Sequence, residues 1–360
     1  MTARNKLRWG ILGAAEIARK NWRAIANSGN GIIVAVASRD LQTCRQFVAE
    51  CQKEVPVRAQ PLAYGSYEEL LDATDVDAIY IPIPTGVRKE WVIRAAQAEK
   101  HVLCEKPCAV TVADLEEMID ACRRHRVQFM DGVMFMHSRR LERVRRVLDD
   151  GRGVGNLKRI TSAFSFRASE GMLNANIRGD SRLEPHGCVG DLGWYCIRLA
   201  LWAANWEMPK EVTGRILARS KGGGRGVITD FGGELIFSRG ISCSFYCSFI
   251  AENQQWANLS GEGGYLHMDD FVLPMDGRET VFLLHKYDFQ VKGTVFRMMP
   301  KVRRIKIREH SHGHADAQET NMFCNFSEQA LSGTLNEDWP MMALKTQKVM
   351  CECIQAAAKA

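Results

Sequence analysis

Through the first 130 positions, short continuous apolar runs alternate with longer amphipathic stretches. The runs at 7–12, 32–37, 78–83, 101–104 and 127–130 have the length of strands, and a continuous β-branched run such as 32–37 suits a strand buried on both faces. Between them, 16–27, 41–53, 88–99 and the stretch after Thr111 read as helices. In the first, Ala18, Trp22 and Ile25 fall at i, i+4 and i+7. In the last, Leu115, Met118, Ile119 and Cys122 follow a capping-box pair, Thr111 and Asp114. Strands alternating with helices predict βαβ units and a parallel sheet.

After about residue 155 the period changes. Along 241–250, Ile241, Cys243, Phe245, Cys247 and Phe249 share one face, and Ser242, Ser244, Tyr246 and Ser248 the other. That is the period of a half-buried antiparallel strand. Further strands are expected at 160–167, 212–218, 233–237, 265–268 and 280–284, with helices around 192–203 and 320–331 covering one face of their sheet. The other face needs cover too, which predicts a homodimer or homotetramer through this sheet. The fold class expected is therefore α/β. A Rossmann-type parallel sheet occupies 1–132, and an α+β domain with a large, mostly antiparallel open sheet occupies 133–360, its C-terminal helix free to pack back on the first domain.

Composition narrows the class. With 46% hydrophobic and 25% charged residues the chain is not disordered. The net charge of +6 is spread out. Its densest stretches, 139–146 and 301–308, read as a helix face and a strand, and no nucleic-acid-reading motif accompanies them. No nucleic-acid partner is expected. The twelve cysteines form no C-x-x-C pair and several sit in apolar runs, which predicts reduced, buried thiols and a cytoplasmic protein. His310, His312 and His314 alternate along a polar stretch that reads as solvated loop, and no metal is expected. No apolar run reaches the roughly 18 residues of a membrane span, so no membrane partner is expected. The basic N-terminus followed by Trp9 to Ala15 reads as strand, turn and helix, because Glu16, Arg19 and Lys20 stand where a leader's cleavage site belongs.

Four motifs carry chemistry. The first, Gly10 to Ala18, puts Gly13, Ala15 and Ala18 in a G-x-A-x-x-A spacing between a strand and a helix, as a dinucleotide turn requires. The second is Ser38-Arg39-Asp40, which follows the second strand. An acid there suits the ribose of NAD, whereas Arg accommodates the 2′-phosphate of NADP; Asp40 lies late and starts the next helix. The third is Glu105-Lys106-Pro107, just past the strand 101–104. A lysine at that end of a parallel sheet is placed to polarise a substrate oxygen, the alternative being a surface ion pair. The fourth is GCVGDLGWYCIR, Gly187 to Arg198, with Asp191 and Tyr195 on one face of a helix. That tyrosine either relays a proton or simply packs.

Together these segments resemble the Gfo/Idh/MocA family of nicotinamide-dependent sugar oxidoreductases, in a branch that includes dimeric dihydrodiol dehydrogenase and NADP-dependent D-xylose dehydrogenase. The matching pieces are GILGAAEIARK, VASRD, GSYEELL, YIPIPTGVRKEW, AAQAEKHVLCEKP, MDGVMFMHSRR, NIRGD and GDLGWYCIR, in order across about residues 8 to 200. The resemblance implies that Lys106, Tyr195 and Asp191 are catalytic. Lys106 meets the reacting oxygen, Tyr195 exchanges its proton and Asp191 orients the site. It implies that Gly13, Ala14, Ala15, Glu16 and Ile17 form the dinucleotide turn, and that Ser38 and Arg39 bind the 2′-phosphate. Tyr67, Pro82, Ile83, Pro84 and Thr85 surround the riboses, and Arg88, Glu105, Lys106 and Arg178 complete the cofactor set. Substrate contacts fall to Lys106, His137, Asn176, Asp191 and Tyr195.

Two departures stand out. Ala15 replaces a frequent Gly, and Arg88 stands where much of the family has His, adding a cation suited to an acidic or phosphorylated substrate. The implied function is NADP(H)-dependent hydride transfer, NAD(H) being second choice, to or from a small molecule of the carbohydrate class. Two alternatives remain. One is an enzyme of non-sugar diols or dicarbonyls, with Met134, Phe135 and Trp194 lining an apolar cleft. The other is a catalytically silent NADP(H)-binding sensor.

Overall fold

The computed structural model describes residues 6–169, 171, 173, 176–220 and 226–359. The outermost ends of the two expected domains, 1–5 and 360, lie outside them. In chain order the elements are β1 (Leu7–Leu12), α1 (Glu16–Asn27), β2 (Gly31–Ala37), α2 (Leu41–Glu54), β3 (Leu62–Tyr64), α3 (Tyr67–Asp72), β4 (Ala78–Ile81), α4 (Thr85–Gln97), β5 (His101–Cys104), α5 (Val112–Arg124), β6 (Phe129–Asp131), α6 (Arg139–Asp149) and β7 (Leu157–Ser165). There follow α7 (Trp194–Ala203), β8 (Glu211–Arg219), β9 (Ile228–Ile236), β10 (Ser242–Ser248), β11 (Gln254–Gly261), β12 (Gly264–Met268), β13 (Glu279–Lys292), β14 (Val295–Arg308), α8 (Gln318–Leu331) and α9 (Asp338–Lys359). They form two compact units, each discontinuous in sequence: 1–137 with 180–185 and 312–348, and 138–179 with 186–311 and 349–360.

The first unit holds a six-stranded parallel sheet in the order β3-β2-β1-β4-β5-β6. The order reverses between β1 and β4, the switch point at which open α/β sheets bind ligands. Local chemistry sets the helix starts. Asp40 caps α2 by accepting from the Thr43 amide at 2.7 Å, and Thr111 and Asp114 form the expected capping box on α5. β4 ends at Ile81 because Pro82 has no N–H for the ladder.

One helix departs from expectation. α8 covers the first sheet, packing beside α1, rather than the second sheet. Its buried face, Met322, Phe323 and Phe326, meets aromatic side chains of that sheet. Trp9 lies 5.2 Å from Phe323 and 5.1 Å from Phe326, and Tyr80 lies 5.5 Å from Phe323, centroid to centroid. The Trp9 indole N–H donates to Ser327 Oγ at 3.2 Å. The fully buried rings of β1 and β4 supply the apolar surface that α8 needs, and helical spacing alone does not say which sheet will provide it.

The second unit holds an eight-stranded sheet in the order β14-β13-β12-β11-β7-β10-β9-β8. Among the described residues the strands of this sheet pair antiparallel except β7 with β10. The 241–250 alternation therefore becomes a strand with one parallel and one antiparallel neighbour. Period-two patterning reports a buried face, not the direction of a neighbour. Cys243, Phe245 and Cys247 are buried as expected, and α7 packs on β7 and β10. Ten of the twelve cysteines are buried. Among the described residues no helix is long and apolar enough to cross a membrane.

Candidate active site

At the carboxyl end of β1, Gly13 adopts φ +123°, where L side chains are strained, and its N–H donates to Ala37 O at 2.9 Å. A Cβ there would stand 2.8 Å from Ile83 Cγ2. Tyr67 Oη and Pro82 Cγ follow at 3.9 and 4.0 Å. The glycine turn, the segment after β4 and the start of α3 thus converge on one place. Ala14 and Ala15 are half-buried, whereas Glu16 and Ile17 are exposed. Ala15 caps α1 without a side-chain hydrogen bond. The first-turn amides of a helix need an acceptor, and such an end suits a phosphate.

Ser38 and Arg39 follow β2, Ser38 half-buried and Arg39 exposed. The Ser38 amide donates to Tyr64 O at 3.2 Å. Burial raises the Tyr67 phenol above its usual pKa, and the Arg39 charge opposes that shift, so the two lie within electrostatic reach. The Tyr67 ring meets Trp91 edge-on, centroids 4.8 Å apart.

Beyond β4, Pro82, Ile83 and Pro84 lead into Thr85, the first residue of α4. The segment 180–185 lies against it. Glu184 accepts from the Thr85 amide at 3.1 Å and from its hydroxyl at 2.7 Å, and the Gly86 amide donates to Leu183 O at 2.8 Å. A Cβ on Gly86 would stand 2.0 Å from Arg182 O, so this approach requires glycine. The sequence reading missed Glu184 and Gly86. Glu184 lies 99 positions from Thr85, and no local pattern signals such a contact.

Glu105 and Lys106 follow β5. Glu105 is buried and its carboxylate is held on both oxygens. Oε1 accepts from Tyr80 Oη at 2.6 Å and Oε2 from the Lys106 amide at 3.2 Å. Tyr80 Oη in turn accepts from Asn21 Nδ2 at 2.6 Å, which links α1 to the lysine turn. Gly132 leaves room for the carboxylate, since a Cβ there would stand 3.1 Å from Oε1. Lys106 itself is half-buried. Sequence reasoning did not single out Tyr80 or Asn21, because each reads as an ordinary sheet or helix position.

Arg88 departs from the expected substrate-facing cation. It is only 3% exposed. Nε and Nη2 donate to Ile83 O at 3.0 and 2.5 Å, and Nη1 donates to Glu105 O at 2.8 Å and to Pro107 O. A guanidinium tied to three backbone carbonyls inside the protein is not placed to meet an acidic substrate.

His137 also lies in the first unit. Its Nδ1 is 3.0 Å from Asn325 Nδ2, its carbonyl accepts from Asn321, and its ring approaches Trp339 at 6.3 Å. His312 and His314 belong to the first unit and His310 to the second. His314 Nδ1 lies 2.8 Å from Asp316, a carboxylate neighbour the sequence reading did not credit to the tract. Phe135, in the first unit, and Trp194, in the second, are both fully buried, which removes them as walls of an open apolar cleft.

In the second unit the expected Asn176, Arg178 and Asp191 come together. Arg178 Nε donates to Asp191 Oδ2 at 2.6 Å, and the Arg178 amide donates to Asn176 Oδ1 at 3.1 Å. Asp191 lies in a π-helical turn, Val189–Gly193, that runs into α7. Such turns are frequent at functional sites. The expectation of one continuous α-helix carrying Asp191 and Tyr195 is corrected to that extent. Tyr195 is 6% exposed, and its ring meets Phe164 edge-on at 5.6 Å.

Comparison with known proteins places this geometry. Residues 7–133 match the oxidoreductase family with an NAD-binding Rossmann fold, and residues 141–267 match the GFO/IDH/MocA C-terminal domain. The chain belongs to the Gfo/Idh/MocA oxidoreductase family. Among curated relatives, dTDP-3,4-didehydro-2,6-dideoxy-alpha-D-glucose 3-reductase of Streptomyces violaceoruber is 31% identical over 82% of this chain and 80% of that one. Trans-1,2-dihydrobenzene-1,2-diol dehydrogenase of Mus musculus is 29% identical over 75% and 77%. D-xylose 1-dehydrogenase (NADP(+)) 2 of Haloferax volcanii is 34% identical over 53% and 55%. In fold, a 3-ketoreductase from Actinomadura kijaniata, solved with NADP and TDP-benzene, matches with a TM-score of 0.82 over 98% of each chain at 21% identity.

For a Gfo/Idh/MocA chain the first unit fits a nicotinamide dinucleotide on its own evidence. A glycine cradle that a Cβ would fill, a helix start with no side-chain cap, and a cation beyond β2 stand at the carboxyl ends of β1 and β2.

Proposed function

We propose that this protein is an NADP(H)-dependent oxidoreductase that interconverts a hydroxyl and a carbonyl on a sugar or related polyol. The observation that carries the reading is the Lys106 turn, held at the carboxyl end of β5 by the Glu105 network in the sheet that bears the dinucleotide turn. The first-turn amides of α1, at Ala15 to Ile17, hold the pyrophosphate beside Gly13 and Ala14. Ser38 and Arg39 take the 2′-phosphate. Tyr67, Pro82, Ile83, Pro84, Thr85 and Glu105 line the riboses and nicotinamide. A bound nicotinamide supplies or accepts the hydride.

Lys106 holds the reacting oxygen by its positive charge and stabilises it as its proton leaves. Tyr195 exchanges that proton, and Asp191, bridged to Arg178, orients the residues around it. Asn176 and His137 complete the substrate contacts. A sugar or polyol is favoured by the curated relatives that reduce or oxidise sugars.

The active form is a homodimer or homotetramer through the second sheet. Paired residues of the β13–β14 hairpin share a face, which puts Tyr287, Phe289 and Val291 beside Phe296, Met298 and Val302. All six are exposed, Phe296 at 69%. A monomer rarely shows so continuous an apolar strip. Sedimentation velocity at micromolar concentration reads the oligomer size.

The test of function is paired titration with NADPH and NADH by tryptophan fluorescence, with Trp91 against Tyr67 as a reporter. It is followed by turnover on D-xylose, trans-1,2-dihydrobenzene-1,2-diol and a dTDP-3-keto sugar. NADPH is expected to bind at least about tenfold tighter than NADH, which is the value of one charge-assisted contact. Lys106→Met is expected to lower kcat by at least about 100-fold with NADPH affinity nearly kept. Unchanged turnover in Lys106→Met sinks the lysine assignment, and no binding of either nucleotide sinks the whole reading.

A further inference from the structure

Arg88 is a buried side chain of the first unit whose chemistry the function leaves unused. It lies in the first turn of α4, and its charge is spent on carbonyls. Two of those carbonyls, Glu105 and Pro107, flank Lys106 in the chain. The third, Ile83, belongs to the segment that packs on the Gly13 turn. A single rigid fork therefore ties the backbone on both sides of Lys106 to the loop after β4.

The geometry matters because a lysine head rides on a flexible four-carbon stem. Its mean position is set by where the backbone holds its Cα. Loops past the ends of strands leave the ladder, so their carbonyls need other donors. The Lys106 backbone amide donates to the Glu105 carboxylate at a long 3.2 Å. The shorter constraints come from Arg88. No other side chain does this as well: a guanidinium offers five N–H donors in one plane, an ammonium three on a single atom, and a primary amide two.

We propose that Arg88 is a positioning residue for Lys106: its guanidinium locks the Glu105–Pro107 turn to the Ile83 carbonyl, and so fixes where the Lys106 ammonium stands, without touching substrate or cofactor. The proposal rests on the assignment of Lys106 to the reacting oxygen. A misplacement of about 1 Å at such a group lowers turnover on the order of 100-fold.

The experiment uses the full chain and two variants, Arg88→Lys, which keeps the charge and loses the fork, and Arg88→Gln, which loses both. Two readings are taken. The first is hydrogen exchange of peptides covering residues 104–110, measured without ligand. The second is the split between kcat, KM and NADPH affinity on the best substrate of the panel above. Expected in Arg88→Lys are exchange at 104–110 at least about tenfold faster, kcat about 10- to 100-fold lower, and KM and NADPH affinity within about threefold of wild type. Arg88→Gln should be worse in the same direction.

Unchanged exchange at 104–110 overturns the proposal, as does faster exchange with kcat intact. Loss of the fold in both variants overturns it too, because the role is then one of general stability. Failure of the functional reading looks different. Wild type would then turn over nothing with NADPH, or Lys106→Met would stay active, whatever the exchange of the turn shows.

Discussion

Replacing Tyr80 by Phe removes one oxygen atom from the interior and leaves the ring in place. That oxygen donates to Glu105 Oε1 and accepts from Asn21 Nδ2, both at 2.6 Å. Tyr80 is fully buried, and burial together with the Glu105 charge pushes its phenol well above the usual value, so it stays a protonated donor. The bond to the carboxylate is charge-assisted and contributes about 1.5–3 kcal/mol; the neutral bond from Asn21 contributes about 0.5–1.5 kcal/mol. Water cannot take the place of the oxygen without opening the sheet. The expected loss in Tyr80→Phe is therefore about 2–4 kcal/mol.

Asn21→Leu deletes only the neutral bond and should cost about 1 kcal/mol. Urea unfolding followed by tryptophan fluorescence measures both, with the slopes checked for constancy. The ordering is the sharper prediction, with Tyr80→Phe costing more than Asn21→Leu. Because the network sets the Glu105 carboxylate beside Lys106, Tyr80→Phe should also weaken NADPH binding. A loss below about 0.5 kcal/mol, or the reverse order, would refute the chain Asn21–Tyr80–Glu105.

Two further outcomes follow from local geometry. Gly86→Ala places a methyl 2.0 Å from the backbone carbonyl oxygen of Arg182, which cannot yield as the end of a flexible side chain would, so the segment 180–185 must move off α4 and Glu184 must release Thr85. Exchange of the 180–185 amides should rise at least about tenfold, and no change there would show that the segment does not lie on Gly86. Burial pushes the His101 imidazole below its ordinary pKa of 6.5, with Asp77 opposing, and His101 Nδ1 accepts from the Gln128 amide at 2.9 Å. The unfolded chain therefore binds this proton more readily. The contribution is intact above about pH 6.5 and is lost as the pH falls from there through the lower folded value. His101→Asn, which keeps an acceptor near Nδ1 and cannot protonate, should flatten the fall in melting temperature between about pH 7 and pH 5. An unaltered slope would assign that fall to other groups.

The sequence by itself determined the parts of this protein that rest on near neighbours. Apolar runs on a strand period and amphipathic runs on a helical period place the first sheet, because burial of one face imposes its period on the residues that form it. Asp40 and the Thr111–Asp114 box mark helix starts, since a cap acts over three residues. The glycine turn after β1 and the Glu105-Lys106-Pro107 segment after β5 stand at strand ends where the sequence places them, because each directly follows a short apolar run.

Tertiary structure alone decided the rest. That α8 covers the first sheet depends on Trp9 and Tyr80, more than 240 positions away in the chain. That β10 runs parallel to β7 depends on register between strands, which no single strand encodes. Arg88 reads in sequence as a cation for a ligand and in the fold as a tie for three carbonyls. A charge in sequence carries no direction, and only the packing of its neighbours decides whether it faces solvent or the backbone.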